Sequence, residues 1–123
     1  MASLVVSDNF ETSAGAIPQL GGADVTTRLS SAWVNFNGTG VVAITDSYNV
    51  SSITDNGTGQ YQVNFTTAMT NANYSCAGSG NDNQALVSTY AGTYSTTTAR
   101  VYVVASSTGG TYDFSRICMI YLR

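Results

Sequence analysis

Ala32–Met69 reads AWVNFNGTGVVAITDSYNVSSITDNGTGQYQVNFTTAM, and this stretch decides the fold. Ala32, Val34 and Phe36 alternate with Trp33 and Asn35. Tyr61, Val63 and Phe65 alternate with Gln60, Gln62, Asn64 and Thr66. A period of two sends one set of side chains to each face of a strand, so both segments predict half-buried strands. The second has one apolar face and one amide-rich face. Asn37-Gly38-Thr39-Gly40 and Asp55-Asn56-Gly57-Thr58-Gly59 tolerate positive φ and predict hairpin turns. Val41–Thr45 and Val50–Thr54 supply the intervening strands. Little in the segment is suited to covalent or acid–base chemistry.

The rest of the chain keeps this pattern. Tyr74–Ala77, Ala85–Tyr90 and Thr97–Ala105 predict strands, with Ser79–Asn83 and Ser106–Gly110 as polar turns. Phe114–Leu122 is apolar on both faces, which suits a strand inside a sheet or against a neighbouring subunit. Helical periodicity is absent. About seven to nine short strands at this spacing predict an all-β chain, a small antiparallel β-sandwich or jelly-roll-like domain. That domain covers residues 31–123. Residues 1–30 differ: the short apolar run Leu4-Val5-Val6 is followed by SAGAIPQLGGAD, with the only proline, Pro18, and a Gly21-Gly22 pair. This reads as an extended N-terminal docking arm, with Leu4, Val5, Val6, Phe10, Ile17 and Pro18 as its candidate contacts.

Composition narrows the function. Only 9% of the 123 residues are charged, against about 25% in an average globular protein. Lysine and histidine are absent, and the net charge is −3. Arg28, Arg100, Arg116 and Arg123 do not cluster, which argues against nucleic acid and against a polybasic membrane contact. The polar surface is built of hydroxyls and amides, suited to glycan contact or subunit packing. MASLVVSDNF lacks the features of a signal peptide, so synthesis in a cytoplasm is expected. Cys76 and Cys118 are accordingly read as two thiols in preference to one disulfide.

Candidate chemistry is sparse. Asp8, Glu11, Asp24, Asp46, Asp55, Asp82 and Asp113 sit mostly beside Gly, Asn or Ser, where a carboxylate caps a turn. Asp55–Gly59 and Asn81-Asp82-Asn83 offer oxygen ligands but match no defined calcium loop, so no metal and no cofactor are expected. Sequons at Asn37, Asn49, Asn56, Asn64 and Asn73 follow from an Asn/Ser/Thr-rich composition. Tyr61 and Tyr121 read as core. Tyr90 and Tyr94 flank Ala91-Gly92-Thr93 and are candidates for an exposed recognition surface, beside Asn81, Asp82 and Asn83, with ordinary trimer packing of the two tyrosines as the equal alternative.

AWVNFNGTG, VAITDSYNVSSITDNGTGQY, VNFTTAM followed by NANY, and the closing FSRICMIYL resemble a module that recurs in tailed-bacteriophage virion proteins. It is found especially at the distal ends of tail fibres in environmental and cyanobacterial phages. The resemblance implies a β-rich, trimeric structural protein with no enzymatic activity and no cofactor, carried in the virion. A typical fibre places a long stem before the module, whereas residues 1–30 precede it here. The expectation is therefore a short tail-fibre or tip module that forms a homotrimer and contacts host surface glycan through Ser79–Asn83 and Tyr90–Thr97. A capsid decoration protein docked on other virion proteins by its arm is the alternative. A glycan-degrading enzyme is the weakest reading.

Overall fold

The computed structural model describes residues 19–20, 23–24, 30–81, 85–89 and 94–123. Among these residues there are ten strands and no helix. β1 (Gln19–Leu20) and β2 (Ala23–Asp24) form a two-stranded pair, in a stretch whose Gly and Pro content reads as loop. The main body contains β3 (Ser30–Asn37), β4 (Ala43–Tyr48), β5 (Val50–Gly57), β6 (Gln60–Phe65), β7 (Ser75–Gly80), β8 (Ala85–Thr89), β9 (Thr98–Ala105) and β10 (Ile117–Leu122). They form two four-stranded antiparallel sheets, ordered β4-β3-β10-β7 and β5-β6-β9-β8. The chain is an all-β sandwich.

The alternating residues fill the space between the sheets. Ala32, Val34, Phe36, Ile117, Met119 and Tyr121 come from one sheet, and Tyr61, Val63, Phe65, Ala99, Val101 and Val103 from the other. Met69 and Tyr74, from the segment joining β6 to β7, close one end. The rings meet edge to face: Phe36 on Tyr61 at 5.1 Å, and Phe65 on Tyr121 at 5.1 Å. Each such pair adds about 0.5–1.5 kcal/mol beyond the area it buries.

β10 lies between β3 and β7, so its doubly apolar sequence belongs to a central strand with one face on the core. Its ladder starts at Ile117, leaving Phe114–Arg116 in the preceding loop. β4 starts two residues later than the alternation suggests, and Val41 is 88% exposed. β5 carries the ladder through Gly57, because Ser51 and Asn56 are absorbed as bulges on this edge strand. Thr45 is the extra residue on β4, another edge. Bulged edges present a poor template for further strand pairing.

A single residue moves the chain from one sheet to the other. Asn49, between β4 and β5, has φ 55°, a region that Asn tolerates better than most side chains. Its Nδ2 donates to the carbonyls of Ser31 and Thr67, each at 3.1 Å, and its Oδ1 accepts from the Thr67 amide at 2.7 Å. Its own carbonyl accepts from the Thr66 amide. Asn49 therefore joins the start of β3, the β4–β5 crossover and the exit of β6. Replacing Asn49 with Gly keeps the backbone conformation and loses the side-chain bonds, at a cost of about 1–2 kcal/mol. Replacing it with Ala adds backbone strain, for a total of about 2–4 kcal/mol. Urea unfolding should rank wild type above Asn49→Gly above Asn49→Ala at unchanged m-value.

Candidate functional site

With the inner faces committed to the core, function falls to the two outer faces and the two ends. Strand register places Trp33, Asn35, Asp46, Tyr48, Ala77, Ser79, Cys118, Ile120 and Leu122 on the outer face of the β4-β3-β10-β7 sheet. Tyr48, Trp33, Ile120 and Ala77 form one cross-strand row over all four strands. Tyr48 is 58% exposed, Ile120 38% and Leu122 44%. A shallow groove of about 400 Å³ runs along this face, floored by Trp33, Cys118 and Ile120. Its lining is mostly apolar.

The outer face of the β5-β6-β9-β8 sheet is chemically the opposite. Thr54, Gln62 and Arg100 form one cross-strand row, and Ser52, Asn64 and Thr98 the next. Gln60 pairs with Tyr102 in a third. Asn64 Nδ2 donates to Ser52 Oγ and to Thr54 Oγ1, each at 3.0 Å. Gln62 Nε2 donates to Asn64 Oδ1 at 2.9 Å. This amide and hydroxyl lattice lies flat on the strands and is held by its own bonds.

The end formed by the β3–β4 and β5–β6 turns is latched by Asp113. Its Oδ1 accepts from the Gly59 amide at 2.7 Å and from the Tyr61 hydroxyl at 2.6 Å. The Gly38 carbonyl lies 3.1 Å from that hydroxyl. Gly59 is obligatory here: φ is +63°, and a Cβ would meet the Val103 carbonyl oxygen at 2.5 Å. Asp46 and Asp55 cap their own turns, accepting from the Ser47 and Gly57 amides. Among the described residues no three Cys, Asp or Glu side chains come close enough to share a metal ion.

The candidate contact residues that are described lie at opposite ends of the sandwich. Asn81 follows β7 at the Asp113 end, where its Nδ2 donates to Ser115 Oγ and its Oδ1 accepts from the Arg116 amide. Tyr94 precedes β9 at the other end. It is half-buried, stacks edge-on against Tyr74 at 5.3 Å, and its hydroxyl meets Cys76 Sγ at 3.2 Å. Strands of this length separate those ends by about 20 Å, so the two residues do not form one site. Asp82, Asn83, Tyr90 and the arm residues Leu4, Val5, Val6, Phe10, Ile17 and Pro18 lie outside the described residues. Residue-by-residue reading overlooked Arg100 and Tyr102 on the amide face. Their alternation with Ala99, Val101 and Val103 was the available signal.

Cys76 faces inward beside Tyr121, and Cys118 faces outward beside Ser79. They sit on opposite faces of one sheet, about 10 Å apart along it, beyond the reach of a disulfide. Both are free thiols. No known family profile, curated protein or solved structure matches the chain.

Three core tyrosines hold their protons tightly. Burial pushes Tyr74 up to about 12. Burial raises Tyr121 further, and burial followed by the hydrogen bond to Asp113 raises Tyr61. A folded-state pKa above the unfolded value of about 10 gives stability that is complete below pH 10 and is lost as pH climbs. Unfolding midpoints in urea should stay level to about pH 9.5 and then fall steeply through about pH 12. Tyrosinate absorbance should appear together with unfolding. A midpoint unchanged at the alkaline end would show that these hydroxyls do not report on the core.

Proposed function

We propose that this chain is a bacteriophage virion structural module of the tail-fibre tip type, which self-associates through its apolar outer face and contacts host surface glycan through polar ones. The observation that carries this reading is the contrast between the two outer faces. One presents Tyr48, Trp33, Ile120 and Leu122. The other presents amides, hydroxyls and one guanidinium over β5, β6 and the first half of β9, with Tyr102 and Val104 beyond them. A contiguous exposed apolar face marks a site of association. A lattice of amides and hydroxyls matches the donors and acceptors of a sugar ring. The likeness of AWVNFNGTG, DNGTGQY and FSRICMIYL to fibre modules supplies the virion setting and the expectation of a homotrimer.

Ile120 and Leu122 each lose about 1.5–3 kcal/mol of burial when kept in water. The Ile120→Lys, Leu122→Lys double variant should therefore self-associate at least about a hundredfold more weakly. Light scattering on the full chain, before and after the substitution, should show a homotrimer becoming monomer with unchanged β-sheet circular dichroism. A wild-type chain that stays monomeric at micromolar concentration but co-sediments with purified capsids would instead support the decoration reading. Adsorption to host cells by the wild-type oligomer tests the attachment role. A folded oligomer that fails to adsorb would overturn it.

A further inference from the structure

We infer that the outer face of the β5-β6-β9-β8 sheet is a binding platform for an acidic glycan, with Arg100 as the anchor for its carboxylates and Gln60 and Gln62 as partners for its hydroxyls. The inference rests on the attachment reading above and supplies a ligand class and a site for it. Arg100 closes the cross-strand row Thr54–Gln62–Arg100, one residue beyond the last described β8 pairing, Thr89 with Val101. It is half-buried, and among the described residues its guanidinium makes no hydrogen bond or ion pair. Neither Ser52, Thr54, Gln60, Asn64, Thr98 nor Tyr102 brings a negative charge to this face. The described acidic side chains of the main body lie elsewhere. Asp46 is on the opposite sheet's outer face, and Asp55 and Asp113 are engaged at the latched end.

A guanidinium offers five donors in a planar fork that fits a carboxylate. In a chain with no lysine and four arginines, an arginine without a partner among the described residues, on a face where the register of β5, β6 and β9 places no carboxylate, is complementary to an anion. A single cation is too little for a nucleic-acid backbone, which needs several. The neighbouring amides specify what else the ligand carries. Gln62 donates its Nε2 hydrogen to Asn64, and its Oε1 has no partner among the described residues. The Gln60 amide likewise has no side-chain partner there. Gln62 therefore offers an acceptor, Gln60 offers both functions, and Arg100 offers donors only. Strands about 4.8 Å apart, with same-face residues about 6.8 Å apart along each, spread these groups over a flat area suited to an extended chain of rings. Tyr102, in the row beside Arg100, adds an aromatic surface for the apolar faces of those rings. A ligand with hydroxyls on a ring and a carboxylate at intervals satisfies all of these groups at once.

The test uses the full chain and immobilised polygalacturonate, alginate and hyaluronate, with fully methyl-esterified polygalacturonate as the uncharged control. The wild type should bind at least one acidic polymer, and binding should fall as salt rises. The ester should bind much more weakly. Arg100→Gln should weaken binding about tenfold, and Gln60→Ala with Gln62→Ala by a similar factor, with unchanged circular dichroism. Arg100→Lys should recover only part of the loss, because it restores charge without the fork. Equal binding of acid and ester, or full binding by Arg100→Gln, would overturn the inference. So would binding to none of the three acidic polymers. Should wild type and Arg100→Gln both adsorb equally to host cells, the platform is wrong while the attachment reading stands. Adsorption that survives removal of host polysaccharide and is lost on protease treatment would assign the face to a protein partner. Failure of the wild type to adsorb at all would sink the attachment reading itself.

Discussion

The structure depends on burial of one residue in every two. In a sandwich the core is a single interlayer, and each strand can fill only one side of it. Ala32, Val34 and Phe36 face Tyr61, Val63 and Phe65 across that layer, and Val101, Val103, Ile117 and Tyr121 complete it. Shifting any strand by one residue would exchange its buried and exposed sets. On β6 this would drive Gln62 and Asn64 into the core, where unpaired amides cost several kcal/mol each. The register is therefore fixed by the inner face. Once it is fixed, the outer faces are free to take on different chemistry, and here they have diverged into an apolar one and an amide one.

The alternation made the sheets legible. The central strands β3, β6 and β9 have unbroken period-two sequences, and their inner residues are those the pattern nominates. Edge strands were less legible, because bulges at Thr45, Ser51 and Asn56 shift the count by one. The Asp55–Gly59 turn looked longer than it is for the same reason. Long-range partnerships left no local trace. Nothing near Asp113 announces that its carboxylate will reach Gly59 and Tyr61. The amide face was visible as composition on β6. Arg100 joins it only through a strand pairing separated by about forty residues of chain, which single-strand reading does not supply.

Turn and amide residues that suggest a binding surface prove to be largely occupied. Asn81, Asn49 and Asn64 all spend their side chains on backbone or neighbouring side-chain groups. The sequons at Asn49 and Asn64 are therefore structural residues, since a bulky substituent on either Nδ2 would break bonds the fold uses. Tyr94 is similar: its ring and hydroxyl belong to the Tyr74–Cys76 cluster at the rim of the core. By contrast the Gln60 amide, the Gln62 Oε1 and the Arg100 guanidinium, which have no partner among the described residues, lie on a regular sheet and not in a loop.

The pairing of the first and last strands of the sandwich also has a mechanical side. Ser30 at the start of β3 pairs with Leu122 at the end of β10, so the chain enters and leaves the sandwich at the same end. A load applied between those two points would peel β3 from β10 one rung at a time, the weak direction for a sheet. Tension between the entry end and the opposite, Asp113-latched end would instead run along the strands. All the ladder bonds would then share it. A module anchored by the entry end and pulled from its far end is loaded in its strong direction.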